Sequence, residues 1–163
     1  MSIFSELGIR DGKDRAKEEL LYNLAACYAL LERKITQFLA PCGLSPVKMN
    51  ALLMIKHIGG REGLPQVDIG TRMIVSAGNI TRLIDRLEKE KLVERVSKSG
   101  DKRVKIIRIT KKASDLLDRV WPVYKKQVEK IISLSSMDVI KAGNLLSGLR
   151  EKLTKQEAKH ADA

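Results

Sequence analysis

Aromatic residues and long apolar runs are both scarce in this chain. Phe, Trp and Tyr together make up 4% of the residues, which disfavours an all-β domain and disfavours binders of single-stranded nucleic acid that stack bases on aromatic platforms. No apolar run approaches the roughly 20 residues of a membrane span. Residues 1–14 alternate charges without an apolar core, so they do not resemble a signal peptide. These absences predict a cytoplasmic protein without a membrane partner.

Cysteine and histidine are equally sparse. The two cysteines, Cys27 and Cys42, are too few for a disulfide scaffold and suit a reducing compartment. The two histidines, His57 and His160, lie far apart and no Cys-x-x-Cys is present, which argues against a structural zinc site. The sequence also lacks a Gly-rich phosphate loop, a Gly-x-Ser-x-Gly turn and a distinctive carboxylate pair. We therefore expect no metal, no cofactor and no enzymatic activity.

Positive charge is what the chain has in excess. Its 163 residues include 31 Lys and Arg against 20 Asp and Glu, which gives a net charge of +11 and a pI near 9.8. A charge of this size attracts polyanions or anionic membrane surfaces. The hydrophobic fraction of 44% is enough for a real core. Length and charge together predict one globular domain, or a small domain with helical additions, that has a polyanionic partner.

Apolar spacing predicts two helices in the first 60 residues. The first covers residues 15–39, with a stripe in steps of three and four. This stripe consists of Leu21, Leu24, Tyr28, Leu31, Ile35 and Phe38. Ser45 and Pro46 then form a helix start that joins an N-cap residue to a proline at the first helical position. The second helix should end at Gly59, and its predicted buried face carries Val47, Ala51, Met54, Ile55 and Ile58.

The middle of the chain combines two shorter helices with a hairpin. A third helix is predicted from about Pro65 to Met73, and Ser76 can cap a fourth that ends near Lys91. The apolar positions of the fourth helix are Ile80, Leu83, Ile84 and Leu87. The period then changes to that of strands, predicted over residues 93–97 and 103–109 around a polar turn. Their alternation slips at residues 106–107, which indicates either a bulge or two covered faces.

The helical period returns after residue 110. Its stripe includes Leu117, Val120, Tyr124, Val128 and Ile131, and Pro122 inside it should kink or divide the helix. Ser135 to Asp138 resembles a capping box. The helix that follows carries Val139, Ala142, Leu146, Leu149 and Leu153, and residues 158–163 are expected to lack regular structure. The outer helices have more apolar stripe than one small domain needs, which predicts a homodimer.

This order of elements predicts the fold class. We expect a mainly α, α+β protein in which residues 44–110 form a winged helix-turn-helix DNA-binding domain. Residues 1–43 and 111–163 should form the helical dimerisation region.

The fourth helix is the candidate for reading DNA. Helical geometry turns Gly78, Arg82, Asp85 and Lys89 away from its apolar face. Its first turn is small and polar, and Asn79 can pair with adenine as Arg82 can with guanine. The candidate contacts on this helix are Ser76, Ala77, Gly78, Asn79, Thr81, Arg82 and Arg86. A capped, solvated surface helix is the alternative interpretation of the same pattern.

The hairpin adds charge beside that helix. Seven basic residues stand against Asp101 alone between Ser97 and Lys112. A basic loop on a two-stranded ribbon can follow the DNA backbone or enter a narrow minor groove, where Arg is favoured. The candidate contacts here are Lys98, Asp101, Lys102, Arg103 and Lys105.

Residues 64–70, 75–88 and 92–95, followed by Asp101-Lys102-Arg103 and Ile109-Thr110, resemble the core of the MarR family of winged-helix regulators. The resemblance implies a homodimer on a pseudo-palindromic operator, with the fourth helices in major grooves. It also implies that Arg103 reaches the minor groove while Asp101 shapes the wing tip. Such proteins are commonly repressors, and many release DNA when a small aromatic or phenolic ligand binds between the dimerisation helices and the winged domain.

Some residues depart from the family pattern or remain open. Lys91 and Ala113 stand where the family often has Gly, and a left-handed helix end at Lys91 would cost roughly 1 kcal/mol, so the cap there can differ. One branch of the family senses hydroperoxides through a cysteine in the first helix. Cys27 lies about two turns later, and we expect it to be a buried apolar cysteine. The candidates for ligand contact are Tyr28, which also suits the core, His57 and Trp121.

Two other functions compete with sequence-specific DNA binding. A winged helix that acts as an architectural or protein-interaction module would show no sequence preference. Binding to double-stranded RNA is disfavoured because the deep, narrow major groove of A-form RNA excludes a helix.

Overall fold

The computed structural model describes residues 2–9, 15–73, 77–98 and 101–161, without the side chains of residues 77, 78, 98, 101–103 and 158–161. Within these ranges the chain is mainly helical, with one small antiparallel sheet, so the predicted fold class is confirmed. The helices are α1 (Ile3–Glu6), α2 (Ala16–Leu39), α3 (Pro46–Met54), α4 (Gln66–Arg72), α5 (Ala77–Lys89), α6 (Lys111–Ile131) and α7 (Ser136–Ala161). The strands are β1 (Leu64–Pro65), β2 (Val93–Lys98) and β3 (Asp101–Ile109).

Two compact units divide the chain at residues 126 and 127. The first holds the hydrophobic core, where Ile55, Ile69, Ile84, Ile107 and Leu117 are fully buried. This core contains residues of α2 and α6 in addition to residues of the winged-helix elements. Residues 44–110 therefore do not enclose a separate core. The second unit contains the end of α6 and α7. There the predicted capping box is confirmed, because Ser135 Oγ accepts from the Asp138 backbone N–H at 3.2 Å and donates to Asp138 Oδ2 at 2.6 Å.

The second predicted helix begins as expected but does not keep its phase. Ser45 Oγ accepts from the backbone N–H of Lys48 at 3.3 Å, as an N-cap should. After Met54 the helix widens into a π-helical segment, Ile55–Gly59. Since a π-turn places more residues in each turn than an α-turn, Ile58 rotates outward and is 53% exposed. The prediction that it is buried was wrong, and Val47 is also exposed.

Strand β1 was not predicted, because two residues are too few to show a period. It pairs with β3 through Leu64–Ile107 and Pro65–Ile106, so β3 is the central strand of a sheet in the order β1-β3-β2. Gly63 makes this pairing possible. It has φ of +82°, and a Cβ there would lie 2.6 Å from the carbonyl oxygen of Ile107.

The pairing register of the hairpin shows where its strands depart from regular pairing. Pairing is continuous from Val93–Ile109 to Ser97–Lys105, and the shift falls between Ser97 and Lys98. A bulge at residues 106–107 was therefore wrong. Ile107 is fully buried and Ile106, on the opposite face, is half-buried, so the alternative of two covered faces agrees with the burial of β3. Strand β3 begins at Asp101, so the predicted polar turn is shorter than expected.

Helix α5 ends in a left-handed turn in spite of its side chain. Lys91 has φ of +58°, so the chain keeps the conformation that glycine favours. Thr110 Oγ1 donates to the carbonyl of Lys91 at 2.9 Å, and Thr110 Oγ1 accepts from the backbone N–H of Ala113 at 3.2 Å. Thr110 therefore caps α6 and fastens the end of α5 to its start.

Helix α6 runs through Pro122 without being divided. Pro122 is exposed, so water can reach the carbonyl that its missing N–H leaves open. Helix α7 extends to Ala161, which contradicts the expectation that regular structure is absent from residue 158 onward.

Several side chains on α2 are exposed where the sequence suggested burial. Tyr28 is 67% exposed and Leu21 66%. Cys27 is exposed as well, so the prediction of a buried cysteine was wrong, whereas Cys42 is half-buried against the core. The second half of the predicted stripe, from Leu31 to Phe38, is partly buried.

Within the described residues, no single helix is both long and apolar enough to cross a membrane. The helices over residues 16–42 and 46–59 reach those limits only as a pair, across a bend of 73°.

Candidate nucleic-acid interface

Helix α5 presents one apolar and one polar face. Ile80, Ile84 and Leu87 are buried in the core. The opposite side carries exposed side chains, and these include Asn79, Thr81, Arg82, Asp85, Arg86 and Lys89. The helix therefore places four of the candidate contacts, Asn79, Thr81, Arg82 and Arg86, on an accessible surface.

The remaining candidates on the fourth helix and the wing are described only in part or not at all. Ser76 lies outside the described residues. Ala77 and Gly78 fall in the first turn of α5 and Lys98, Asp101, Lys102 and Arg103 fall in the hairpin strands, but their side chains lie outside the described part of the chain.

Helix α4 holds the N-terminal half of α5 in place. Gln66 Nε2 donates to Thr81 Oγ1 at 3.2 Å. Gly70 lies against Ile80, whose Cγ1 would be 3.7 Å from a Cβ at that position, so the two helices approach closely without strain. The contact ties α5 to the preceding helix, as a helix-turn-helix requires.

Arg95 on β2 fixes the other side of α5. Its Nη2 lies 2.5 Å from Asp85 Oδ1 and its Nη1 lies 2.7 Å from Glu88 Oε2. The backbone N–H of Arg95 also donates to Glu88 Oε1 at 3.3 Å. One guanidinium therefore engages both carboxylates of the helix and links the helix to the hairpin.

The cations of α5 have a different environment from its carboxylates. Within the described side chains, Arg82, Arg86 and Lys89 form no ion pair or hydrogen bond. The helix consequently presents three uncompensated positive charges while its two negative charges are paired.

The C-terminal end of α5 is fastened by a third set of contacts. Lys48 Nζ lies 2.6 Å from Glu90 Oε1 and donates to the carbonyl of Gly43 at 3.3 Å. Lys112 Nζ donates to the carbonyl of Glu90 at 2.8 Å. The loop after α2, the start of α3 and the start of α6 thus meet at the end of α5.

Some basic residues of the hairpin region stabilise the fold through contacts within the chain. Arg108 Nε donates to the carbonyl of Glu62 at 3.2 Å. Lys111 pairs with Asp115 at 2.9 Å. Lys105 remains exposed at the base of the wing, where its Nζ donates to Ser97 Oγ at 3.3 Å. Of the described basic residues in this region, Lys105 is thus the one without a carboxylate or carbonyl partner.

A groove of about 590 Å³ separates α5 from the wing. Its walls come from α4, α5 and β3, and its polar side chains are Gln66, Thr71, Thr81 and Lys105. Sequence reasoning identified Thr81 and Lys105 but missed Gln66 and Arg95, because nothing in the order of residues shows that they meet α5.

A second groove of about 540 Å³ lies between α2, α3 and the end of α4. Tyr28 lines it, together with Glu32 and Arg72. His57 and Trp121 are not among its described lining residues; His57 is exposed in the π-helical segment, and Trp121 stacks on Tyr124 with ring centroids 5.6 Å apart. The structure therefore does not bring the three ligand candidates together.

Among the described residues, no group of three or more His, Cys, Asp and Glu side chains could hold a metal ion.

Comparison with known proteins gives consistent matches. Residues 44–105 match the model of the MarR family. The HTH-type transcriptional regulator MhqR of Bacillus subtilis (strain 168) is 26% identical over 122 residues, which cover 75% of this chain and 82% of that protein. These matches agree with the winged-helix core and with the polar face of α5.

Solved structures share the fold. The organohalide-sensing transcriptional regulator RdhR, in its 2,4-dichlorophenol-bound form, superposes with a TM-score of 0.77 at 18% identity and covers 88% of this chain and 86% of its own. The S. aureus MepR–DNA complex gives 0.73 at 20% identity, with 80% and 96% covered. The family match over residues 44–105, the curated regulator and the shared fold together show that this chain is similar to the MarR family of transcriptional regulators and has their winged-helix fold.

Proposed function

We propose that the protein is a homodimeric repressor that binds a pseudo-palindromic double-stranded operator in the cytoplasm. The observation that carries this proposal is the surface of α5, where Arg82, Arg86 and Lys89 are exposed and unpaired within the described side chains. Guanidinium groups are the commonest readers of guanine in the major groove. Asn79 at the start of the helix adds a side chain that suits adenine.

The groove between α5 and the wing supports this assignment. In a winged-helix complex the sugar–phosphate strand between a major and a minor groove passes between the recognition helix and the wing. Gln66, Thr81 and Lys105 line the groove at this place and offer one amide, one hydroxyl and one ammonium donor to phosphate. On the sequence alone we also propose DNA contacts for Ser76, Ala77, Gly78, Lys98, Asp101, Lys102 and Arg103, whose side chains lie outside the described part of the chain.

Exposed apolar side chains on the outer helices support the homodimer. Leu20, Leu21 and Leu30 on α2 are each about half exposed or more, as are Ile140 and Leu145 on α7. Apolar stripes of this kind mark surfaces that a partner covers. We infer that residues 1–43 and 111–163 form the dimerisation region and that residues 44–110 bind DNA.

The groove beside α2 is the proposed site of a small aromatic or phenolic effector. Tyr28 offers a ring and a hydroxyl there, and Arg72 offers a cation that has no described partner. The solved structure of RdhR holds a chlorinated phenol. The end of α4 lines this groove, and α4 packs against α5. A ligand in the groove can therefore change the position of α5. Tyr28→Ala should then weaken the release of DNA by 2,4-dichlorophenol, used as the probe.

Selection of bound duplexes from a random pool tests the proposed function. The expected result is a two-fold-symmetric motif with half-sites about 10 base pairs apart. An unenriched pool would contradict sequence-specific binding and would favour an architectural winged-helix protein that binds through charge alone.

A further inference from the structure

We propose that Arg95 is a charge-masking residue of the DNA interface, which pairs with both carboxylates of the recognition helix and cancels one of their two negative charges, so that α5 can approach phosphates. This inference rests on the proposed function and assigns a role to a residue on β2 that has no need to touch DNA itself. It is carried by the juxtaposition of one guanidinium with Asp85 and Glu88.

The position of the two acids is what makes a mask necessary. Asp85 lies one helical turn beyond Arg82 on the polar face, and Glu88 lies on the flank that faces β2. A carboxylate at this place would repel the phosphates on both sides of a groove that α5 enters. Unmasked, the two acids would offset two of the three cations that the helix presents.

The geometry of Arg95 meets both acids at once. Its two terminal nitrogens lie 2.5 Å from Asp85 Oδ1 and 2.7 Å from Glu88 Oε2, so each N–H group points at a different residue of the helix. The guanidinium is planar and permanently charged, which suits it to such a double contact better than lysine. Its side chain is only 23% exposed, so water screens the pairs less than it screens a fully exposed pair.

The same contacts explain why Asp85 is not the reader of a base. A carboxylate can accept a hydrogen bond from cytosine in the major groove. Here Asp85 Oδ1 already accepts from Arg95, which directs it toward the wing. Masking therefore leaves base reading to Asn79 and Arg82.

A set of substitutions that remove these charges singly and together tests the role of Arg95. The full-length variant Arg95→Gln keeps a polar side chain at this position but removes its charge, which leaves Asp85 and Glu88 uncompensated. We expect its affinity for the selected duplex and for a scrambled duplex to fall by about tenfold or more, since unpaired like charges at an interface oppose binding to any sequence. Adding Asp85→Asn and Glu88→Gln to the same chain should restore both affinities to within about threefold of the wild type, because no charge then needs a mask.

Two controls make this test specific. Lys56→Gln breaks the Lys56–Asp118 pair, whose atoms lie 2.6 Å apart between the α3 region and α6, and should change neither affinity by more than about twofold. Thermal unfolding of each variant identifies any that fails to fold. If Arg95→Gln does not fold, the variant that combines Asp85→Asn with Glu88→Gln and retains Arg95 replaces it. That variant should bind both duplexes several-fold more tightly, with an unchanged base preference.

Three outcomes would overturn the inference. An Arg95→Gln variant that binds like the wild type would show that no mask is needed. Failure of the two added substitutions to restore binding would show that Arg95 acts by anchoring the wing or by touching phosphate. An altered base preference after the loss of Asp85 would make that residue a reader. In each of these cases the wild type still binds its operator, whereas a wild type that binds no duplex would overturn the proposed function as well.

Discussion

Among single residues on the surface of α5, the side chains proposed to contact bases differ from those that fix the helix in place. Arg82 and Asn79 are exposed, whereas Asp85 and Glu88 are held by Arg95. Lys48 and Glu90 pair at the other end of the helix. The unpaired side chains are therefore available to form hydrogen bonds with bases, whereas the paired side chains orient the helix.

Arg82→Ala should relax the choice of sequence. Loss of one bidentate contact with guanine costs about 1–3 kcal/mol at that base pair, while other positions of the motif should be unaffected. Repeating the duplex selection with the variant measures this. Arg119→Ala, which removes an exposed arginine from α6, is the matched control, and an unchanged profile for Arg82→Ala would refute the assignment.

Lys91→Gly should stabilise the protein. Lys91 holds φ of +58°, a conformation that costs a side chain roughly 1 kcal/mol and costs glycine almost nothing. The greater freedom of glycine in the unfolded chain reduces the gain. We expect the midpoint of thermal unfolding to rise by up to about 2–4 °C. Arg86→Gly, inside the regular helix, should lower the same midpoint, and a fall for both variants would contradict the explanation.

The faces of α5 could be predicted from sequence because helical spacing alone decides which residues are buried. The contacts of Gln66 and Arg95 could not be predicted, because each joins residues that local periodicity does not relate. The sequence left the conformation of the helix end at Lys91 open for another reason. Its strain is offset by packing of the end of α5 against Thr110 and Lys112, which composition does not reveal.

At the scale of elements, the wing and the recognition helix act as one unit. Strand β2 carries Arg95 to α5, and β3 carries Lys105 to the groove between them. The central position of β3, between β1 and β2, gives the hairpin a fixed base. Gly63 permits this arrangement, since a side chain there would meet the backbone of β3.

Lys105→Ala should weaken binding to all duplexes alike. Lys105 lies in the groove proposed to hold the DNA backbone, where its ammonium group has only Ser97 as a described partner. Loss of one phosphate contact should reduce the slope of log affinity against log salt by about one. Titration of selected and scrambled duplexes at several salt concentrations measures the slope. Ser97→Ala keeps the charge and should leave the slope unchanged; a sequence-selective loss for Lys105→Ala would argue for a base contact instead.

The elements themselves were predictable to different degrees. Helix α3 begins where the sequence places it because its cap residue, Ser45, acts locally. Helix α2 begins within one residue of the predicted start, although no side chain caps it. The two-residue strand β1 and the π-helical segment at Ile55–Gly59 were not predicted. Both depend on the packing of neighbouring elements and leave no period in the sequence.

At the scale of the whole molecule, the proposal requires two copies of the chain. Leu21 is 66% exposed on α2, and Leu146 is 48% exposed on α7. Both lie on apolar stripes in the helices assigned to dimerisation. An operator with two-fold symmetry requires a protein with the same symmetry.

Leu21→Asp combined with Leu146→Asp should yield a monomer. A buried, unpaired carboxylate is costly in an apolar interface, so the two substitutions should separate the copies while each chain remains folded. Sedimentation velocity measures the mass. Ile58→Asp, at a position 53% exposed in the π-helical segment, is the control and should leave the dimer intact. A double variant that remains dimeric would place the interface elsewhere.

The measurement that tests sequence-specific binding most directly is a titration of the selected duplex and a scrambled duplex of equal length at one physiological salt concentration. For a specific regulator we expect the selected duplex to bind at least about a thousandfold more tightly, with two chains bound per duplex. Equal affinities for the two duplexes would contradict it and would leave charge as the sole basis of binding.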